Sequence, residues 1–242
     1  MKIRFLPLLF LLFFTACENI TQPVLTQPII VFTFDDQHIS IYENALPILQ
    51  KYGFTATNFV NTNSLGKPDR LTWQHLEYLE KDLGWETGGH TLNHVNLPEC
   101  DETTAVYEIS QDKQNLLEHG LEAVSFALPS GHATPQQFRL ISEYYKNIRT
   151  SLDIQHKKIN RKFLGYFAYQ STYNAQNAIG RIIRGLENNE ILIILGFHQV
   201  SNDLESHPSV CSPEAFEEIV EFVKKNNLPV KTLKNAIGEI CR

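Results

Sequence analysis

Short apolar runs alternate with amphipathic helical patterns from about residue 29 to the C-terminus, and that order admits few folds. Runs at 29–34, 54–60, 84–87, 123–128, 147–151 and 191–197 read as strands, with weaker ones at 163–168 and 229–232. Between them, helices are predicted at 41–52, 72–82, 101–119, 135–146 and 174–188, with Thr72 and Asp101 as N-caps. The clearest stripe is Phe216, Ile219, Val220 and Val223, spaced i, i+3, i+4, i+7, with Ser212 as cap and Pro213 in the first turn. Strands joined through helices pair in parallel, because the crossover returns the chain to the end from which it left. Seven or eight such units predict an α/β fold, a distorted (β/α) barrel, closed or nearly so, with any site at the C-terminal ends of the strands.

Ahead of that domain stands a different kind of sequence. Lys2 and Arg4 precede an apolar stretch over 5–14, which predicts a signal peptide over 1–16 rather than a spanning helix. Phe14-Thr15-Ala16-Cys17 resembles the lipobox of bacterial lipoproteins. That resemblance implies a lipid anchor at Cys17 and attachment to a membrane of the bacterial cell envelope, facing the periplasm or the exterior; simple cleavage after Ala16 would instead yield a secreted protein. Residues 17–28, with Pro23, Pro28 and repeated Thr-Gln, cannot build a core and read as a tether, leaving 29–242 as one domain. A net charge of -6 without a Lys/Arg cluster excludes a nucleic-acid partner. Past Cys17 only Cys100, Cys211 and Cys241 remain, none in a Cys-x-x-Cys motif. Cys100 and Cys211 follow loops at the same end of the barrel, so any disulfide is expected between them.

Four strand-to-helix loops open with polar or special residues. They are Asp35-Asp36, the stretch His90-Thr91-Leu92-Asn93-His94, Pro129-Ser130-Gly131, and His198 after Phe197. In a β/α barrel these loops gather at one mouth, so residues far apart in sequence converge there. Two imidazoles and a carboxylate make the ligand set of a hydrolytic metal site. An isolated His-x-x-x-His is more often a solvated helix face, and its position after a predicted strand is what lifts it here.

These motifs, in this order, resemble the polysaccharide deacetylases, carbohydrate esterase family four, which share the NodB-homology domain. Phe32-Thr33-Phe34-Asp35-Asp36 is similar to the Thr-Phe-Asp-Asp-Gly motif of that family, and Gly84 through His94 to its Gly-Trp-Glu-Ile-Gly-Ser-His-Thr-x-x-His stretch. Ser125 through Gly131 matches Phe-Ala-Tyr-Pro-Tyr-Gly. The resemblance implies that Asp36, His90 and His94 bind a divalent metal, zinc first and cobalt or another ion as alternatives. Asp35 is then the catalytic base, His198 the general acid, Ser130 the backbone oxyanion donor, and Leu195 a wall of the acetyl-methyl pocket. Three protein ligands leave a position for water, whose pKa falls from about 15.7 to near 7 on zinc. Adjacent strand-end residues point to opposite sides, so Asp35 and Asp36 take different roles.

Several positions depart from that pattern. Gln37 stands where the family has Gly, and Ala127 where many members carry the Arg that orients the base. Asp153 is the one stand-in for the family's fourth motif, with a solvated loop residue as the equal alternative. His38 and His132 share loops with the site and read as exposed loop histidines, with substrate contact as the alternative, while Trp85, Tyr166 and Tyr169 are either sugar-stacking or core aromatics. The expected activity is metal-dependent removal of N-acetyl groups from an acetylated aminosugar polymer, of the poly-N-acetylglucosamine or peptidoglycan type. Two alternatives stay open: O-acetyl ester or small-amide hydrolysis at the same site, and a carbohydrate-binding lipoprotein without turnover.

Overall fold

All seven residues of β1 (Ile29–Asp35) are buried, as a strand flanked on both faces must be. In the computed structural model, which describes residues 27–242, β1 is an interior strand of a seven-stranded parallel sheet. Its neighbours are β2 (Thr57–Val60) and β7 (Leu192–Phe197), followed outward by β3 (Glu86–Gly89), β4 (Ser125–Ala127) and β5 (Asn147–Arg149) on one side and β6 (Phe167–Ala168) on the other. The sheet curls into an incomplete barrel. Its two edges approach through the segment before β6, where Leu164 forms an isolated parallel bridge with Arg149, its carbonyl accepts from Thr150 N at 2.7 Å, and Tyr166 N donates to Leu152 O at 2.7 Å. The strand expected at 229–232 shrinks to a single bridge between Val230 and Ile30.

Helices cover the outside much as the periodicity predicts. They are α1 (Leu46–Tyr52), α2 (Trp73–Glu77), α3 (Glu102–Glu118), α4 (Pro135–Tyr144), α5 (Ala175–Glu187), α6 (Pro213–Lys225) and α7 (Leu233–Ile240). The predicted helix at 41–52 begins as a π-helical turn over Ile41–Ala45, and the one at 72–82 ends in another over Tyr78–Asp82. Thr72, Asp101 and Ser212 cap their helices, accepting from the backbone N–H of His75, Thr104 and Ala215. No helix among the described residues is long and apolar enough to cross a membrane. The expected signal peptide, Cys17 anchor and most of the tether lie outside the described residues.

Strand alternation divides the core into two parts. Outward-facing Phe32, Phe34, Ile193, Leu195 and Phe197 join the helices in the larger cluster. Inward-facing Ile29, Val31, Phe59, Ala127, Leu192 and Ile194 form a smaller one, closed from below by Leu233, Ala236 and Ile237 of α7. That helix is fastened from inside the barrel: Leu233 N donates to Thr57 Oγ1 at 2.9 Å and Lys234 N to Glu86 Oε2 at 2.7 Å. Burial raises the Glu86 carboxyl's pKa, although hydrogen bonds from Ser125, from Lys234 N and from Thr57 favour its charge.

Two glycines give the barrel interior its room. A Cβ at Gly88 would meet Ser125 O and the Phe59 ring, and one at Gly196 would overlap the Tyr166 ring. Both aromatic rings lie against Arg149 inside the barrel. Gly196→Ala is therefore expected to destabilise the protein by about 1–3 kcal/mol, the usual cost of overpacking. Urea denaturation would check this, and an unchanged midpoint would contradict the packing described.

Candidate metal centre and its surroundings

Register sets the level of every group at the mouth. Phe34 pairs with Phe197, so Asp35 and His198 emerge side by side from adjacent strands. Phe59 pairs with Asp35 on one side and Gly88 on the other, which brings His90, two residues on, to the same rim. Past β1 the chain turns left-handed at Asp36 (φ 66°) and Gln37 (φ 42°), leaving Asp35 within the barrel and setting Asp36 over the opening.

Asp36, His90 and His94 converge. Asp36 Oδ1 lies 3.7 Å from His90 Nε2 and 3.5 Å from His94 Nε2, and one donor atom from each residue falls within 4.8 Å of the others. Two ligands of a tetrahedral ion with bonds near 2.1 Å stand roughly 3.4 Å apart, so the spacing fits a shared cation. The donors are prepared for one. His90 Nδ1 hydrogen-bonds Ala127 O at 2.8 Å, which directs the Nε2 lone pair to the cluster. Burial lowers the His90 pKa against the pull of Asp35 and Asp36, so the ring is held neutral, as a ligand must be. Asp36 Oδ1 is buried without a hydrogen-bond partner among the described residues.

The loop carrying the two imidazoles is strained and firmly held. Thr91 (φ 66°) and His94 (φ 58°) join Asp36 and Gln37 in the left-handed region, which costs of order 1 kcal/mol or more per non-glycine residue. Buried side chains offset that cost. Asp112 of α3 accepts from His90 N and Thr62 N, both at 3.1 Å. Glu108, one turn earlier, takes Asn93 N at 2.8 Å and Asn93 Nδ2 at 2.7 Å. Burial pushes the Asp112 carboxyl up to about 7, against these N–H donors. From β2's end, Asn61 Nδ2 donates to the carbonyls of His90 and Thr91. Gln37 braces Asn61 in turn: its Oε1 accepts Asn61 N at 2.9 Å and its Nε2 reaches Asn61 O at 3.4 Å. So Gln37 keeps the backbone form a glycine would take and buries its side chain behind the site, not over it.

Asp35 is 3% exposed and lies against Arg149, whose Nη2 contacts Oδ1 at 2.6 Å and Oδ2 at 2.5 Å. Burial alone would raise the Asp35 pKa, but Arg149, then His198 and His90, override it and hold the carboxyl below its usual range. The guanidinium is itself 2% exposed, its carbon 3.8 Å from the Tyr166 ring centroid and 4.9 Å from that of Phe59. Arg149 is the site residue the motifs do not reveal. Its one trace in the sequence is a lone Arg in a predicted strand, and its significance depends on the Ala127 to Arg149 register that levels it with the mouth.

His198 Nε2 lies 3.9 Å from Asp35 Oδ2 and 3.8 Å from Asp36 Oδ2, completing the cluster. Ser130 stands exposed at the rim with φ 54°, its carbonyl bonded by His132 Nδ1 at 2.7 Å. His38 Nδ1 is occupied by Ser40 Oγ at 2.8 Å. Leu195 and the cysteine pair depart from expectation. Leu195 is fully buried in the outer core and does not reach the mouth, because it sits three residues from inward-facing His198 and so has the opposite parity. Asp153 pairs with Arg181 Nε at 2.7 Å rather than with His198. Trp85 stacks on Phe34 and Tyr169 on Phe197, both inside the core, so only half-buried Tyr166 belongs to the mouth. Cys100 and Cys211 are free thiols, directed at Asn96 O and Ser212 O respectively, and form no disulfide.

Comparison with known proteins agrees with this geometry. The family model described as polysaccharide deacetylase matches residues 23–146. The poly-beta-1,6-N-acetyl-D-glucosamine N-deacetylase of Staphylococcus aureus (strain MSSA476) is 31% identical over 96 residues, covering 34% of this chain and 33% of its own length. The chain spans about a quarter to a third of the length of the curated relatives it matches. Among solved structures, the Streptococcus pyogenes deacetylase PplD in complex with acetate is 28% identical with a TM-score of 0.53, over 56% of this chain and 62% of that one. A family 4 acetyl xylan esterase from Clostridium thermocellum, in complex with a cobalt ion, is 18% identical with a TM-score of 0.64, over 87% and 90%, and so shares the fold.

The Asp35–Arg149 pair yields a prediction with a definite sign. Because the native state holds Asp35 below its ordinary value of 3.8, the pair's stabilisation is complete above that pH and is lost as pH falls through the lowered native value. Arg149→Met strands a buried carboxylate and should cost about 3–5 kcal/mol near neutrality. The variant should recover part of that deficit in acid, where Asp35 protonates; denaturation at pH 7 and pH 4 would show an equal deficit at both if the pairing were unimportant.

Proposed function

The chain belongs to the polysaccharide deacetylase family, and we propose that it is a metal-dependent hydrolase that removes N-acetyl groups from an acetylated aminosugar polymer. One observation carries the reading: three ligand atoms within 4.8 Å of one another, set beside a buried, arginine-paired carboxylate and an imidazole. Pure binding would not need all five of these groups. The named N-deacetylase activity of the Staphylococcus aureus relative supports an N-acetylglucosamine polymer as substrate class.

Asp36, His90 and His94 would hold the cation, with zinc proposed first and cobalt as its alternative. When bound, such an ion supplies Lewis acidity that polarises a carbonyl and makes water nucleophilic near neutral pH. Asp35 then acts as base: one of its oxygens accepts the proton that the attacking water loses. Arg149 keeps that carboxyl ionised and fixes its plane. A C–O bond forms at the acetyl carbon, the C–N bond breaks, and His198 Nε2 delivers a proton to the departing amine. Acetate and a free amino sugar are the products. The backbone N–H of Ser130, at the exposed rim, is the proposed donor to the carbonyl oxygen as it gains charge. We further propose that Cys17 carries a lipid that keeps the enzyme at a membrane of the cell envelope, tethered by residues 17–28.

Acetate release from oligomers of N-acetylglucosamine is the direct assay. A chelator should abolish it and zinc or cobalt restore it, whereas Asp35→Asn should lower kcat by about 10²–10⁴-fold while zinc still binds. Release that survives complete metal removal would overturn the mechanism. Faster release from O-acetylated xylan oligomers would move the substrate class to esters. The anchor has its own test, since labelled palmitate should enter the wild-type protein and not Cys17→Ala.

A further inference from the structure

A general-acid imidazole is ordinarily aligned through its second ring nitrogen, which a carboxylate or carbonyl holds. His198 lacks that support. Its Nδ1 is buried without a hydrogen-bond partner among the described residues, and its Nε2 lies 3.8 Å or more from the nearest carboxylate oxygens, beyond hydrogen-bond range. Asp153, the carboxylate that could have served, is committed to Arg181. Something else must fix the ring.

His207 lies face to face with it. The two ring centroids are 4.9 Å apart and the planes 27° from parallel, an offset-stacked geometry. The segment that brings His207 back to His198 is pinned at several points. Beyond His198 the chain forms β8 (Gln199–Val200), which pairs with β9 (Val210–Cys211), so the intervening residues 201–209 leave and return at one place. Ser206 Oγ donates to Gln199 Oε1 at 3.0 Å, Ser201 N to Cys211 O at 2.9 Å, and Ser171 N to Pro208 O at 2.8 Å. His207 is itself oriented, for its Nδ1 accepts Ser209 N at 3.1 Å. A well-tied loop whose one inward aromatic covers an otherwise unsupported imidazole is a placement device.

We infer that His207 is a positioning residue for this reaction: by stacking, it sets the plane of His198 so that Nε2 faces the Asp35–Asp36 opening where the amine departs. The inference rests on the proposed deacetylase reading. It requires a flat ring at 207 and not a particular charge, so an aromatic hydrocarbon should replace the imidazole.

The test uses the full chain, metal-loaded, as wild type, His207→Ala and His207→Phe. With N-acetylglucosamine oligomers, His207→Ala should lower kcat by roughly tenfold or more, part of the contribution of a well-placed acid, with KM and zinc affinity unchanged. His207→Phe should stay within about threefold of wild type. Wild-type kcat in His207→Ala, or equal loss in both variants, would overturn the role. Histidine-ring NMR decides independently of turnover. One narrow His198 ring signal in wild type and His207→Phe, broadened or doubled in His207→Ala, is the expected result, and an unaltered signal in His207→Ala would refute the stacking constraint. If wild type releases no acetate while the ring signals behave as expected, the deacetylase reading fails and the positioning contact stands.

Discussion

The buried pair between Asp35 and Arg149 is the interaction on which the rest of the mouth depends. A carboxylate at 3% exposure stays charged only if a cation accompanies it, and that cation must also be accommodated in an apolar barrel. Several distant residues meet the second demand. Phe59 and Tyr166 present ring faces to the guanidinium, and Gly88 and Gly196 withhold side chains so that those rings fit. Tyr166 also comes from the segment that closes the sheet, two residues beyond the Leu164 bridge to Arg149. Closure of the barrel and ionisation of Asp35 are thus consequences of one arrangement. A charge at this depth costs stability unless fully paired, so pairing here fixes both geometry and protonation state.

A second arrangement governs the ligand loop. Four non-glycine residues in left-handed conformations lie in the two loops that supply the candidate cation ligands, and two of them, Asp36 and His94, are themselves candidate ligands. Such conformations persist only where neighbours over-determine them. Glu108 and Asp112, one turn apart on α3, provide this from the helix side, and Gln37 with Asn61 from the strand side. Both sets bind backbone groups of the loop and leave the imidazole Nε2 atoms free. With this preorganisation, a cation bound there would not have to order its own ligands.

How much of this was legible follows from what each signal encodes. Strand-ending motifs announce themselves, because a polar cluster directly after an apolar run marks the point where a buried strand reaches the barrel mouth, and Asp35, Asp36, His90, His94 and His198 do meet at one rim. Side-chain parity was equally present in the sequence and points the other way for Leu195. With His198 inward, a residue three positions back faces outward into the helix layer. Arg149 and His207 are different in kind. Neither belongs to a local pattern, and each acquires meaning only from a partner brought alongside by register or by a returning loop. Gln37 was visible as a departure from glycine, yet its compensating bonds to Asn61 cross 24 residues and leave no local trace.

The arginine shows how such a departure is accommodated physically. Ala127 and Arg149 are register partners on adjacent parallel strands, at the same height within the barrel. A guanidinium on a long, flexible stem can therefore reach the Asp35 carboxylate from β5 rather than from β4, provided the residue on β4 is small enough to leave the path open. Ala127 meets that condition, facing inward with full burial, while its carbonyl orients His90. What the chemistry requires is a cation at one point in space beside one carboxylate. Parallel pairing makes two sequence positions 22 residues apart equivalent sources of it, so an absent motif residue is not an absent function when its register partner carries the charge.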